Sequence, residues 1–140
     1  MIRKIAYLVT LGLIFQSINA LAADSQKELD ALSAAEKWLA IVDGEKYEQS
    51  WKETAELFKS AVQPNQWAQS MQAVRRPLGK LISRNLKMKA YKSSLPGAPD
   101  GEYVVIQFET SFENKKSAVE TITPMMDKDG VWRVSGYYIK

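Results

Sequence analysis

The stretch that decides the fold is Asp100–Lys140, DGEYVVIQFETSFENKKSAVETITPMMDKDGVWRVSGYYIK. Within Tyr103–Phe112 apolar and polar side chains alternate, which is typical of an antiparallel strand with one buried face. β-Branched residues are frequent in Ala118–Met126, and Val131–Ile139 follows a turn that ends in Gly130. The stretch therefore predicts three antiparallel strands joined by two turns.

The first of these turns also predicts a register. With the turn at residues 114–115, Phe108 lies opposite Thr121, and Glu109 faces Glu120 on the outer side of the sheet as a mildly unfavourable like-charge pair. The positions predicted to face the core are Phe108, Thr121, Val134 and Trp132. A shift by one residue would turn a whole strand over, and a bulge in either strand would relieve the like-charge pair.

The second turn, residues 127–130, places Thr123 opposite Gly136 or Val134. Because successive side chains of a strand point to opposite faces, one face of the last strand is predicted to carry Trp132, Val134, Gly136 and Tyr138. A further strand is predicted upstream at Lys80–Lys92, before a loop rich in proline and glycine. Its row on one face comprises Ile82, Arg84, Leu86, Met88 and Ala90.

Three helices are predicted before the strands. Ser25 and Glu28 match a capping box, so the first helix is expected to begin at Ser25 and to end at Asp43-Gly44. Apolar side chains at helical spacing predict the second and third helices over residues 47–62 and 65–76. The main positions of the three stripes are Leu29, Leu32, Leu39, Val42, Tyr47, Trp51, Phe58, Trp67 and Met71. We expect these stripes to pack on a sheet rather than to line a ligand site.

Together these elements predict an α+β fold. Three N-terminal helices pack on one face of a curved four-stranded antiparallel β-meander, and a signal peptide precedes them. The helix–sheet gap is the natural place for a pocket in such a fold.

The N-terminus has the three parts of a secretory signal peptide. Arg3 and Lys4 precede the apolar run Ile5–Phe15, and Ala20-Leu21-Ala22 matches a cleavage site. The apolar run is too short for a membrane-spanning helix, which needs about 20 residues. We therefore expect residues 1–22 to be a cleaved signal peptide and residues 23–140 to be one domain, periplasmic or secreted, without a stable membrane anchor.

Composition excludes several classes of function. The chain has 19 basic and 16 acidic residues, and loss of the two basic residues in 1–22 leaves 17 against 16, a net charge of +1. This balance does not favour a nucleic-acid partner. The chain contains no Cys and no His, so disulfides, the usual catalytic triads and Cys/His metal sites are excluded. We expect no cofactor and no bound metal.

Two arginines are the main candidate contacts for a ligand or partner. Arg76 lies at a helix end before Pro77, and Arg84 lies in an otherwise apolar strand row. An inward Arg needs an anionic or carbonyl partner, either a ligand or an internal Asp or Glu. Both alternatives stay open for Arg84. The other candidate contacts are Trp51, Tyr91 and Tyr138.

Several motifs carry a family resemblance. They are Arg76–Gly79, Ser83-Arg84, Leu95–Gly97, Pro99–Val104, Phe112–Lys116, Glu120-Thr121 and Asp129–Tyr137. With these motifs the chain resembles a bacterial family catalogued as domain of unknown function 4019. The resemblance implies an exported bacterial protein with a fold of the nuclear-transport-factor-2-like or cystatin-like superfamily, and it implies no activity.

Two functions are compatible with these observations. The first is a non-enzymatic module of the cell envelope that binds a small molecule or a protein. The alternative is an isomerase or dehydratase of the kind found in that superfamily, with Asp43, Glu109 or Glu120 as base and Tyr91 or Tyr138 as donor. A homodimer through the outer sheet face is a further expectation, with Tyr103, Val105 and Tyr137 as its apolar patch.

Overall fold

The computed structural model describes the backbone of residues 2–140 and the side chains from residue 19 onward. This part of the chain contains four helices, α1 (Ile2–Asp43), α2 (Tyr47–Lys52), α3 (Glu56–Ala61) and α4 (Pro64–Leu78). It contains four strands, β1 (Leu81–Lys92), β2 (Tyr103–Phe112), β3 (Lys115–Met126) and β4 (Trp132–Ile139). The α+β class is confirmed, and the number of helices is four rather than the three predicted.

The strands form a single antiparallel meander in the order β1-β2-β3-β4. One face of β2 is buried, and its members are Val104, Ile106, Phe108, Thr110 and Phe112. The core also takes Trp38 and Leu39 from α1 and Trp67 from α4. The alternation in Tyr103–Phe112 therefore identified the inner face correctly, and the aromatic stripes of the helices pack in the core as expected.

The predicted register between β2 and β3 is wrong by one residue. Phe108 lies opposite Glu120, and Gln107 lies opposite Thr121. The slip places Glu120 on the inner face, where it is fully buried. The predicted pair of Glu109 and Glu120 therefore does not form, because Glu109 lies opposite Val119 on the outer face. An irregularity between Thr110 and Phe112 near the β2–β3 turn accompanies this change.

Two predicted rows of side chains, one on β4 and one on β1, are wrong because the strands contain bulges. Thr123 lies opposite Gly136, which is one of its two predicted partners. The pairing then shifts between Thr123 and Pro124. Beyond the shift, Tyr137 faces inward and Tyr138 is exposed, so the predicted row through Tyr138 is wrong. In β1 the irregularities lie at residues 81–83 and 86–88. They break the predicted apolar row, and its members Ile82, Leu86 and Met88 are exposed.

Two helix predictions also need correction. Helix α1 continues through Ser25, so the predicted start at Ser25 is wrong, although its end at Asp43 is confirmed. The predicted helix over residues 47–62 is divided into α2 and α3. The reason is a tertiary contact: between these helices the N–H of Ala55 donates to the carbonyl oxygen of Val134 at 2.8 Å, and Thr54 forms a bridge with the same residue.

The signal peptide predicted for residues 1–22 stays a prediction, and its first eighteen side chains lie outside the described residues. None of the helices described here has a stretch long and apolar enough to cross a membrane.

Candidate functional site

Four charged side chains meet beneath the sheet and form a cluster that we call the charged cluster: Asp43, Arg75, Arg84 and Glu120. Asp43 is the last residue of α1, and Arg75 lies in the last turn of α4. Arg84 and Glu120 lie on β1 and β3, on either side of Thr110 of β2. The ends of two helices and three adjacent strands therefore position the cluster.

Arg84 connects the two carboxylates. Its Nη1 and Nη2 donate to the two oxygens of Asp43 at 2.7 and 3.0 Å. Its Nε and Nη2 donate to the two oxygens of Glu120 at 2.6 and 3.1 Å. Such paired contacts exploit the planar fork of guanidinium, and a lysine would not reproduce them. The structure thus gives Arg84 internal partners, which was one of the two alternatives left open.

Glu120 is 0 % exposed and has four hydrogen-bonding contacts. Besides the two from Arg84, the hydroxyl of Thr110 donates to its Oε1 at 2.6 Å. The hydroxyl of Tyr137 donates a short hydrogen bond to its Oε2. A buried carboxylate is tolerated only when it is paired and hydrogen-bonded in this way.

Arg75 is the less satisfied cation of the cluster. Its side chain is 5 % exposed, its Nη2 donates to Asp43 Oδ1 at 2.8 Å, and its guanidinium lies 4.9 Å from the ring centre of Phe112. Among the described residues, its Nε and Nη1 have no hydrogen-bond acceptor. The ring face of Phe112 offers an electrostatic contact instead, through a cation–π interaction.

The protonation states follow from burial and pairing. Burial works to raise the pKa of Asp43, but the hydrogen bonds and charges of Arg84 and Arg75 together hold that pKa below its ordinary value. Burial and the negative charge of Glu120 raise the pKa of Tyr137 well above its ordinary value. For Arg84, burial is outweighed by both carboxylates, which raise its pKa. At pH 7 Asp43 is therefore ionised, Tyr137 is neutral and Arg84 is cationic.

Of the two main hollows on the described surface, neither is lined by Glu120, Tyr137 or Arg84. Across the part of the chain that the structure describes, no group of three acidic side chains is placed to hold a metal ion. Chemically the cluster is a closed ion-pair network: each carboxylate oxygen of Glu120 already accepts hydrogen bonds from protein groups. This arrangement favours a structural role over proton transfer to a substrate.

The larger hollow, which we call the hairpin groove, has a volume of about 1560 Å³ and lies between α1, α3 and the β3–β4 hairpin. Its apolar lining includes Leu57, Met126, Val131 and Trp132. Charges of both signs stand around it, including Asp30, Lys37, Glu53, Asp100 and Lys128. Glu120 lies in the middle of β3 and Met126 is its last residue, so the charged cluster and the groove lie at different positions along β3.

The five predicted contact residues do not form one site. Arg84 belongs to the charged cluster, and Arg76 is exposed beside a small hollow of about 500 Å³. The indole N–H of Trp51 donates to the carbonyl oxygen of Val62 at 2.7 Å. Tyr91 lies under the ammonium of Lys27, and its hydroxyl donates to Glu102 at 3.4 Å. Tyr138 is exposed on the outer face.

The outer-face patch predicted for a homodimer also changes. Tyr103 is buried and its hydroxyl donates to the carbonyl oxygen of Pro99 at 2.6 Å. Tyr137 faces inward to Glu120. Of the three predicted members only Val105 remains on that face, where it is half-buried.

Sequence reasoning missed Arg75 and misplaced Glu120 and Tyr137. Arg75 sits one helical turn after Met71, on the same helix face as Trp67, so helical spacing alone carried a usable signal. The placement of Glu120 and Tyr137 required the bulges of the sheet, for which the sequence offered no marker.

Comparison with known proteins is consistent with the motifs. The family model described as "Protein of unknown function (DUF4019)" matches residues 34–137. The chain belongs to this family. No curated protein matches it. The match extends over the end of α1, α2 to α4, β1 to β3 and most of β4, so the charged cluster of this DUF4019 domain lies entirely inside the matched range.

Proposed function

We propose that this DUF4019 protein is a non-enzymatic binding module of the cell envelope, and that the hairpin groove is where it binds. One observation supports this most: a groove of about 1560 Å³ whose lining combines apolar side chains with charges of both signs. Binding sites typically combine apolar lining with a few polar groups that orient the ligand. The volume exceeds the roughly 300–1,000 Å³ of ordinary small-molecule pockets, so an elongated ligand with an apolar body fits best.

The lining residues suit adaptable binding. Met125 and Met126 bring flexible, polarisable side chains, and Trp132 brings a large flat apolar surface. Part of the charge around the groove is already neutralised, because Arg133 pairs with Asp127 at 2.9 Å and with Asp129 at 2.8 Å. We therefore expect apolar contacts to contribute more than ionic contacts to binding in the groove.

The isomerase or dehydratase alternative gains no support from these contacts. Its candidate bases Asp43 and Glu120 both lie in the charged cluster, where their carboxylate oxygens are already paired with the guanidinium of Arg84. Its third base, Glu109, is exposed on the outer face. Only analogy with the superfamily favours the enzyme, and fold analogy does not establish a reaction.

Export is part of the same proposal and has its own test. The full chain is expressed in a bacterium, and the mass of the protein is measured in the envelope and cytoplasmic fractions. We expect an envelope protein that begins at Ala23 or Asp24, because Ala20-Leu21-Ala22 matches a cleavage site. Full-length protein confined to the cytoplasm would contradict the proposal.

Ligand binding is tested by a thermal-shift screen of the exported protein against envelope metabolites, including acylated and peptide compounds. A ligand at 100 times its Kd stabilises the folded state by about 2.7 kcal/mol, which is readily visible as a shift of the midpoint. If no class of compound shifts the midpoint, the small-molecule form of the proposal fails.

A matched pair of variants assigns the site. Val131→Arg places a long charged side chain in the groove at a position that is 46 % exposed. Val74→Arg makes the same change on α4, outside the groove, at a position that is 44 % exposed. We expect the shift caused by a hit to be lost in Val131→Arg and kept in Val74→Arg. A shift that survives in both variants would place the ligand elsewhere.

A further inference from the structure

The two edges of the sheet differ in how they are covered. At the β4 edge, the segment between α2 and α3 docks on Val134 through the N–H of Ala55 and a bridge to Thr54. At the β1 edge, the one backbone contact from outside the sheet that the described residues show is the N–H of Tyr91, which donates to Glu28 Oε1 at 3.2 Å. Most of the twelve-residue strand β1 therefore offers free backbone groups for pairing.

The side chains along the same edge combine apolar surface with positive charge. Ile82 is 64 % exposed, and Leu86 and Met88 are exposed as well. The lysines of the strand and its start are Lys80, Lys87, Lys89 and Lys92, and no Asp or Glu occurs within residues 80–92. Among the described residues, none of these four lysines forms an ion pair.

From these observations we propose that the β1 edge is a docking site for an extended acidic segment of another protein. The segment adds a fifth strand to the sheet by backbone hydrogen bonds, and its carboxylates pair with the lysines of β1. Its apolar side chains cover Ile82, Leu86 and Met88. This proposal does not rest on the hairpin groove, which involves other elements.

Charge argues against a second copy of the chain as the occupant. Pairing β1 with β1 of another copy would bring two lysine-rich strands together, and like charges on neighbouring strands destabilise a sheet. The two irregularities in β1 add to this, because bulges discourage continuous edge-to-edge pairing. An acidic segment instead removes the repulsion and pairs with the stretches 83–86 and 88–92.

The test uses labelled ten-residue peptides and fluorescence anisotropy with the unaltered exported protein. The first peptide alternates Val and Glu, the second alternates Val and Lys, and the third is the Val/Glu peptide with an N-methyl group on every residue. We expect the first peptide to bind, with an affinity that falls as salt is added. The second should not bind, and the third should bind at least about tenfold more weakly because its strand pairing is blocked, a loss of roughly 1.4 kcal/mol.

A double variant locates the site. Lys87→Glu with Lys89→Glu reverses the charge of β1, and Lys115→Glu with Lys116→Glu makes the same change at the start of β3. All four positions are exposed or half-buried, and circular dichroism checks that both variants fold. We expect the Val/Glu peptide to lose about tenfold or more in affinity for the first variant and little for the second.

Three results would overturn the proposal. Equal binding of the N-methylated peptide would assign the surface to charge alone, as for an anionic lipid surface. Equal loss in both double variants would show that binding follows net charge and not β1. Light scattering that shows a dimer of the unaltered protein, dissociated by Lys87→Glu with Lys89→Glu, would make a second copy the occupant. The peptide comparison stands even if a variant does not fold, because it uses the unaltered protein.

Discussion

The charged cluster buries charged side chains, whereas the hairpin groove exposes apolar ones. In the cluster, two arginines and two carboxylates pair with one another beneath the sheet, and Glu120 has no exposed surface. In the groove, apolar side chains such as Val131 lie open to water and the charges stand at the rim. The ionisable residues of the cluster therefore serve stability, whereas the candidate binding surface combines exposed apolar side chains with charges of both signs.

The largest effect is expected at Glu120. Glu120→Gln keeps the shape of the side chain but removes the negative charge to which Arg84 and Tyr137 donate hydrogen bonds. The buried guanidinium of Arg84 then keeps only one of its two carboxylate partners, Asp43. Breaking a buried pair in this way costs about 3–5 kcal/mol of the free energy of unfolding. Urea denaturation at pH 7 measures it. Glu109→Gln, on the exposed outer face of β2, is the control and should change stability by about 0.5 kcal/mol or less.

Asp43→Asn should cost somewhat less, about 3 kcal/mol, since Asp43 is partly exposed whereas Glu120 is not. This variant also assigns a pH dependence. The folded pKa of Asp43 lies below its ordinary value of 3.8, so its contribution is complete above that value and is lost as the pH falls through the folded pKa. The urea midpoints of the unaltered protein and of Asp43→Asn should therefore converge as the pH falls from 7 to 2. Curves that stay parallel down to pH 2 would contradict the assignment.

Gly79→Ala tests the connection between α4, which carries Arg75, and β1, which carries Arg84. Gly79 has φ +74° and ψ −159°, a conformation confined almost entirely to glycine, and an added Cβ would lie 2.9 Å from Glu113 Cβ. We expect a loss of about 1–3 kcal/mol, read as a lower thermal midpoint. Gly97→Ala is the matched control: its φ is +76° but nothing lies within 4 Å, so the loss should be smaller.

The smallest effect on stability is expected in the groove. Val131→Arg changes an exposed position without internal partners, so the free energy of unfolding should change by about 0.5 kcal/mol or less. Thermal and urea midpoints measure this change, with Val74→Arg alongside. A loss comparable to that of Glu120→Gln would mean that the groove is part of the packed core, and the contrast between the two regions would fail.

Local sequence patterns predicted much of the fold. The limits of β2 were predicted to the residue, its inner row was identified in full, and the turn before Val131 was placed correctly, because alternation and turn residues act over a few positions. The candidate site was predicted less well. Arg84 was recognised as an inward cation that needs a partner, yet its partners Asp43 and Glu120 lie 41 and 36 residues away. Arg75 was missed although its spacing from Met71 places it on the inner face of α4, and its partner Asp43 lies 32 residues away.

What the sequence determined by itself is the class of the protein: helices followed by a β-meander, no Cys or His chemistry, and membership of a family that its motifs already indicated. Only the tertiary structure decided which carboxylate is buried and which surface stays open. The physical reason is the period of two in a strand, by which a shift of one residue at the β2–β3 turn exchanges the two faces and carries Glu120 into the core. Such a shift costs little locally, and the partners that make it favourable, Arg84 and Tyr137, come from distant parts of the chain.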